Sequence, residues 1–115
     1  MALPLEKNLA VYIGSDFSEN FRMVDENSLP VDLTGYSIKS QIKEKQSQDA
    51  SLIETFNISV AATDGGFTLS LTDTQTSAIT KKVGYYDVLL TDGDSIDTYA
   101  IFGQVTFVPT VTVKA

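Results

Sequence analysis

Along most of this chain apolar and polar side chains alternate one by one, the pattern of strands with one buried face and one wet face. The clearest case is Tyr36 to Glu44, where Tyr36, Ile38, Ser40 and Ile42 alternate with Ser37, Lys39, Gln41 and Lys43. The same pattern predicts strands over Leu9 to Ile13, Phe17 to Asp25, Leu52 to Val60, Phe67 to Leu71, Tyr85 to Thr91 and Tyr99 to Val108. In the second of these Phe17, Glu19, Phe21 and Met23 share a face, and the charge of Glu19 predicts a bend or a late start. Leu52, Phe56, Ile58 and Val60 read as one face of one strand. Tyr86, Val88 and Leu90 oppose Tyr85, Asp87 and Leu89. In the last strand Tyr99, Ile101, Val105 and Phe107 share a face with Gly103, which predicts a bulge or a close backbone approach there.

Turn chemistry separates these runs. Glu26-Asn27-Ser28-Leu29-Pro30, Thr63-Asp64-Gly65-Gly66 and Asp92-Gly93 are turn signals, the last a hairpin signal. The polar run Lys45 to Ser51 predicts a surface loop. Only Thr72 to Lys82 suits a helix. Thr72 or Asp73 can cap it, Ala78, Ile79 and Val83 can bury a stripe, and Gly84 ends it. It is short and Thr-rich, so one or two turns are expected. The whole predicts an all-β sandwich of about seven antiparallel strands with one short helical turn near residues 73–82. A length of 115 residues suits a single domain over 1–115, with short extensions at 1–8 and 110–115.

Composition then narrows the chemistry. The chain has no Cys and no His. That excludes disulfides, thiol nucleophiles, serine triads and His- or thiolate-based metal sites. Carboxylate and lysine chemistry remain. Asp92, Asp94 and Asp97 around one hairpin form the candidate calcium cluster, although their spacing misses the EF-hand loop and no Glu closes it. Asp16, Asp25, Asp32 and Asp87 are scattered through turns, with no spacing that pairs them for glycosidic chemistry. No catalytic residue and no cofactor is expected.

The net charge is −7, which argues against nucleic acid and anionic lipid as partners. The densest positive stretch, Lys39, Lys43 and Lys45 with Glu44 inside it, reads as solvated strand edge and loop. No apolar run reaches the roughly twenty residues of a membrane span. Residues 1–13 lack the continuous apolar stretch of a secretory signal, so synthesis and folding in a cytoplasm are expected.

Tyr85 and Tyr86, with Tyr99 across the hairpin, could form an aromatic platform for a sugar or a partner. Only one of two adjacent strand residues can enter a single core, so one of Tyr85 and Tyr86 is expected outside or at an interface. The β-prone tail adds Thr110, Val111, Thr112 and Val113 as interface candidates, able to add a strand to a neighbour.

Five elements in order carry a resemblance. They are Gly14-Ser15-Asp16-Phe17; Val31-Asp32-Leu33-Thr34-Gly35-Tyr36 after Pro30; Leu69-Ser70-Leu71-Thr72; Gly84-Tyr85-Tyr86-Asp87-Val88; and Gly103-Gln104-Val105. Together they span nearly the whole chain. This series resembles a family of bacteriophage β-sandwich modules. The family includes the immunoglobulin-like N-terminal domain of upper-baseplate proteins and the small connector domains of long tail fibres. The resemblance implies an immunoglobulin-like sandwich with no catalytic residues to carry over. It implies a non-enzymatic virion structural protein, an adaptor or connector of the tail, baseplate or fibre attachment. Its partners would be other virion proteins, as a homo-oligomer in the particle, with no nucleic acid and no membrane. Two alternatives stand beside it: a decoration protein on the capsid surface, and a carbohydrate-binding module using Tyr85, Tyr86 or Tyr99.

Overall fold

A computed structural model describes residues 5–25, 27–61 and 65–111. Among the described residues nine strands form two sheets, joined by one helix. In chain order they are β1 (Leu5–Glu6), β2 (Leu9–Tyr12), β3 (Phe17–Arg22), β4 (Ser37–Lys43), β5 (Leu52–Thr55), β6 (Asn57–Ala61), β7 (Gly66–Leu71), α1 (Asp73–Ser77), β8 (Val83–Thr91) and β9 (Asp97–Val108). The larger sheet runs β1-β9-β8-β4-β5, with β2 continuing β1 along β9; the smaller runs β3-β7-β6. The molecule measures 46 × 31 × 21 Å. β9 alone, with 12 residues, would span about 40 Å at the rise of an extended strand.

The all-β, two-sheet reading holds, but not every strand is antiparallel. The first and last strands pair in parallel, Leu5 with Ile101 and Leu9 to Tyr12 with Val105 to Val108. The pairing starts at Leu5, so the segment expected as an N-terminal extension is partly sheet. Two long-range features allow it. At Gly103 a Cβ would overlap the carbonyl of Lys7, so only glycine admits the chain there. Beside it, the Asn8 side-chain oxygen accepts from the Gln104 amide at 3.0 Å, in place of a ladder bond.

The segment 52–60 is two strands, not one. β5 pairs with β4 in the larger sheet, and β6 pairs with β7 in the smaller. The chain changes sheet at Phe56, whose amide still donates to the Ser40 carbonyl at 3.0 Å, a good ladder distance. Leu52 and Val60 consequently stay outside, at 54% and 43% exposure. The Phe56 ring lies between the sheets, 6.0 Å from Phe17 and 5.9 Å from Tyr86.

Glu19 neither bends β3 nor delays it. β3 runs from Phe17 to Arg22, with Glu19 opposite Leu69 on the inward face. Its carboxylate meets the Lys7 ammonium at 3.3 Å, joining the edge strands of the two sheets. The helix keeps its predicted start and stops early. Thr72 caps it, accepting from the Gln75 amide while the Gln75 side chain accepts from the Thr72 amide, a capping box. It closes at Ala78 rather than at Gly84. Buried Thr76 holds it against the β2–β3 turn: its hydroxyl accepts from the Gly14 amide at 3.0 Å and donates to the Ser15 carbonyl at 2.9 Å.

The core between the sheets is apolar, with Val11, Leu69, Val88, Val105 and Ile42 fully buried. Tyr86 brings a buried phenol into it. Its hydroxyl donates to the Lys7 carbonyl at 2.7 Å. Burial, and then the nearby Glu19 carboxylate, push this phenol above the ordinary tyrosine range. Unfolded chains release the proton near pH 10, whereas the folded chain holds it. The stability tied to neutral Tyr86 is therefore complete below about pH 10 and is lost as pH rises further. Urea midpoints at pH 8 and pH 11 should show this alkaline loss, and Tyr86→Phe should show a smaller one.

Candidate functional site

The flat, outward face of the larger sheet gathers the groups that remain available for recognition. Strand register sets them in three rows. Lys39, Leu89 and Tyr99 stand side by side; then Gln41, Asp87 and Phe102; then Lys43, Tyr85 and Gln104. β8 is central in this region, paired on both sides, so its main-chain groups are spent in the ladders and the face is read through side chains alone.

Above this face folds the loop 44–51. The Lys43 ammonium donates to the Gln48 carbonyl at 2.7 Å, and the Gln48 amide donates to the Tyr99 hydroxyl at 3.2 Å. The loop therefore straps the sheet from the end of β4 to β9. A cavity of about 850 Å³ lies here, lined by the outward rows apart from Gln104, by Lys45 to Gln48 of the strap and, past the edge of β4, by the inward residues Ile38, Phe56, Ile58 and Tyr86. Its charged lining is Lys39, Lys43, Lys45 and Asp87. That is three cations against one anion, in a chain of net charge −7. Partial burial pushes the Asp87 carboxyl up, and the Lys43 ammonium opposes the shift.

The three candidate tyrosines divide. Tyr86 is a core residue, 3% exposed. Its phenol is committed to Lys7 and its ring to Phe56, so it is no part of a surface platform. Tyr85 faces out, as the alternation requires. Tyr99 also faces out, against the reading that put it with Ile101. The reason is a bulge: Val88 pairs with Ile101 but Leu89 pairs with Tyr99. Ala100 is the extra residue, and it turns inward beside Ile101. A one-residue insertion reverses the parity of every side chain before it.

The acidic hairpin is a turn built from its own carboxylates. Asp92 Oδ1 accepts from the amides of Asp94 and Ile96 at 2.9 and 3.0 Å, and Asp97 accepts from the Thr91 hydroxyl at 2.7 Å. The left-handed residue is Ser95, not Gly93, at φ 64°. A second turn repeats this design. Asp25 Oδ1 accepts from Asn27 and Leu29 at 2.8 and 3.0 Å, with Ser28 at φ 64°. Asp16 accepts from the Asp73 amide at 2.7 Å. Asp32 accepts from the hydroxyl and amide of Thr34, which hold its carboxyl below the usual carboxylate range. Each candidate acid other than Asp87 and Asp94 thus has a local structural partner. Among the described residues no three acidic side chains gather as a group that could hold a metal ion.

Thr110 is tied down rather than free, its hydroxyl donating to the Ile13 carbonyl at 2.7 Å. Val111 projects from the fold at 94% exposure. Thr112 and Val113 lie outside the described residues.

The strap and the lysines were not read as a site from the sequence. The available signal was the matched alternation of Lys39, Gln41 and Lys43 with Tyr85, Asp87 and Leu89. It predicts two polar-and-aromatic outer faces but not that they adjoin. No helix among the described residues is long and apolar enough to cross a membrane. No family model matches the chain, and a search of curated proteins finds no match.

Proposed function

We propose that this protein is a non-enzymatic structural module of a bacteriophage particle, a connector of the tail, baseplate or fibre attachment that works through its two ends. One observation carries the reading beyond the resemblance: large apolar side chains stand exposed at both ends of the sandwich. The Asp25 and Asp92 turns lie at the end where β9 begins, and their last residues, Leu29 and Ile96, are 58% and 60% exposed. Tyr12 and Val111 lie at the end where β9 finishes, at 55% and 94% exposure. Burying such residues against neighbours is favourable by roughly 25 cal/mol per Å² of apolar surface. The described sequence landmarks support the same reading, since they act as turns and packing devices. Leu33 of the Asp-Leu-Thr-Gly element is buried at 1% exposure, Asp32 braces Thr34, and Gly103 admits the first strand.

The paired variant Leu29→Asp with Ile96→Asp tests this. Both residues are exposed, so the variant should fold normally. It should be depleted from assembled particles, and an electron-microscopy map should place the domain in the tail at a few to a few dozen copies. Normal incorporation of the variant would overturn the two-ended connector. Hundreds of copies on the head would replace it with the capsid-decoration reading.

A further inference from the structure

We infer that the strapped outer face of the larger sheet binds an acidic oligosaccharide, a sugar chain bearing carboxylates. The site is separate from the two ends of the sandwich and does not depend on the connector reading.

Three features of the face select this ligand class. The first is what it lacks. With the main chain of β8 paired on both sides, a peptide cannot add to the face as a further strand. Recognition must come from rings, amides and charges. The second is what it presents. Tyr85, Phe102 and Tyr99 lie in successive rows, with the amides of Gln41, Gln46 and Gln48 around them. Rings offer flat apolar surface to the C–H faces of a sugar, and amides pair with its hydroxyls. Tyr85 and Tyr99 are separated by four residues of β8, about 13 Å along the strand. That length suits an oligomer rather than one sugar. The third is charge. Lys39, Lys43 and Lys45 line the same cavity against Asp87 alone, and Lys39 makes no ion pair with a described residue. Three of the eight cationic side chains of an acidic protein therefore converge where the rings are. A neutral sugar would gain nothing from that placement, whereas a carboxylate on each unit would.

The cavity volume, about 850 Å³, falls in the range of ligand sites. The strap gives the ligand a second wall. Gln46, Ser47 and Gln48 of the strap face the cavity, and Gln48 already contacts Tyr99.

The test is a titration of the isotope-labelled protein with oligogalacturonate, beside a neutral glucan oligomer of equal length, read from amide chemical shifts. The inference expects saturable shifts confined to residues 39–48, 85–89 and 99–104 with the acidic oligomer only. Tyr99→Ala and Lys39→Gln should each weaken binding about tenfold, as loss of one stacking ring or one charge contact does. Both residues are exposed, so their spectra should otherwise match the parent, except at the strap in Tyr99→Ala, which loses the acceptor of the Gln48 amide. Raising salt should weaken binding of the parent more than of Lys39→Gln. Equal binding of the neutral oligomer, shifts on another surface, or no shifts at all would each overturn the inference. None of these outcomes bears on particle incorporation, so the connector reading and this one fail separately.

Discussion

Gly103→Val should be the most damaging single substitution outside the apolar core, costing about 3 kcal/mol. A Cβ at this position would occupy the space of the Lys7 carbonyl, and it would also press on the Tyr86 ring at 3.1 Å. Side chains can turn away from a clash, but a carbonyl held within a sheet edge cannot move without its strand. The substitution should therefore push β1 and the start of β2 off β9. That removes the acceptor of the Tyr86 hydroxyl and the Lys7–Glu19 ion pair together. Urea unfolding would measure the loss. Amide exchange should quicken at Leu9 and Val11 more than in the smaller sheet. Gly93→Ala is the matching control: a Cβ there meets nothing within 4 Å, and its effect should stay within about 0.5 kcal/mol. A Gly103→Val protein as stable as the parent would mean that the first strand is not seated on Gly103.

Phe56→Ala should cost about 3–5 kcal/mol, the usual range for removing a buried phenyl ring. Phe56 is 3% exposed and stands where the chain passes from one sheet to the other. Its ring contacts Phe17 of the smaller sheet and Tyr86 of the larger, so its loss leaves a void at the junction of both. Because the ring also lines the strapped cavity, the variant should bind an acidic oligosaccharide less well, even at low temperature where it remains folded. Thermal unfolding reads the first effect, and the amide-shift titration reads the second. Against total stabilities of roughly 5–15 kcal/mol for small domains, either substitution removes a large part of the margin.

Both positions show how far local pattern reaches. The alternation at Ser37–Lys43 and Tyr85–Thr91 carried the facing of every residue there, because the period of two is a property of the strand itself; Val83, read as part of a buried helical stripe, instead opens β8 and is exposed. It sent Tyr86 inward and Tyr85 outward without reference to any neighbour. The capping box at Thr72 and Gln75 is equally local, since both partners sit within one helical turn. Length and the absence of Cys and His bounded the chemistry in the same direct way.

Facing failed where a contact distant in sequence intervened. Tyr99 lies outside because one extra residue, Ala100, is accommodated opposite Val88 and Leu89. Alternation within β9 contains no sign of that register shift. The division of 52–60 at Phe56 follows from two rings and one carbonyl contributed by other strands. Glu19 is tolerated on an inward face because Lys7 arrives beside it, carried there by the parallel pairing of β1 and β2 with β9. The site follows the same rule. Its aromatic and basic residue types stand plainly in the chain, and the strand periodicity orients most of them. Their assembly into one strapped face depends on β4, β8 and β9 lying side by side and on Gln48 reaching Tyr99. Sequence alone thus determined where most strands and turns lie and the poverty of reactive groups, because those depend on neighbours along the chain. Tertiary structure decided strand order, the parallel edge and the meeting of lysines with tyrosines, because those depend on which distant segments can pack without a clash.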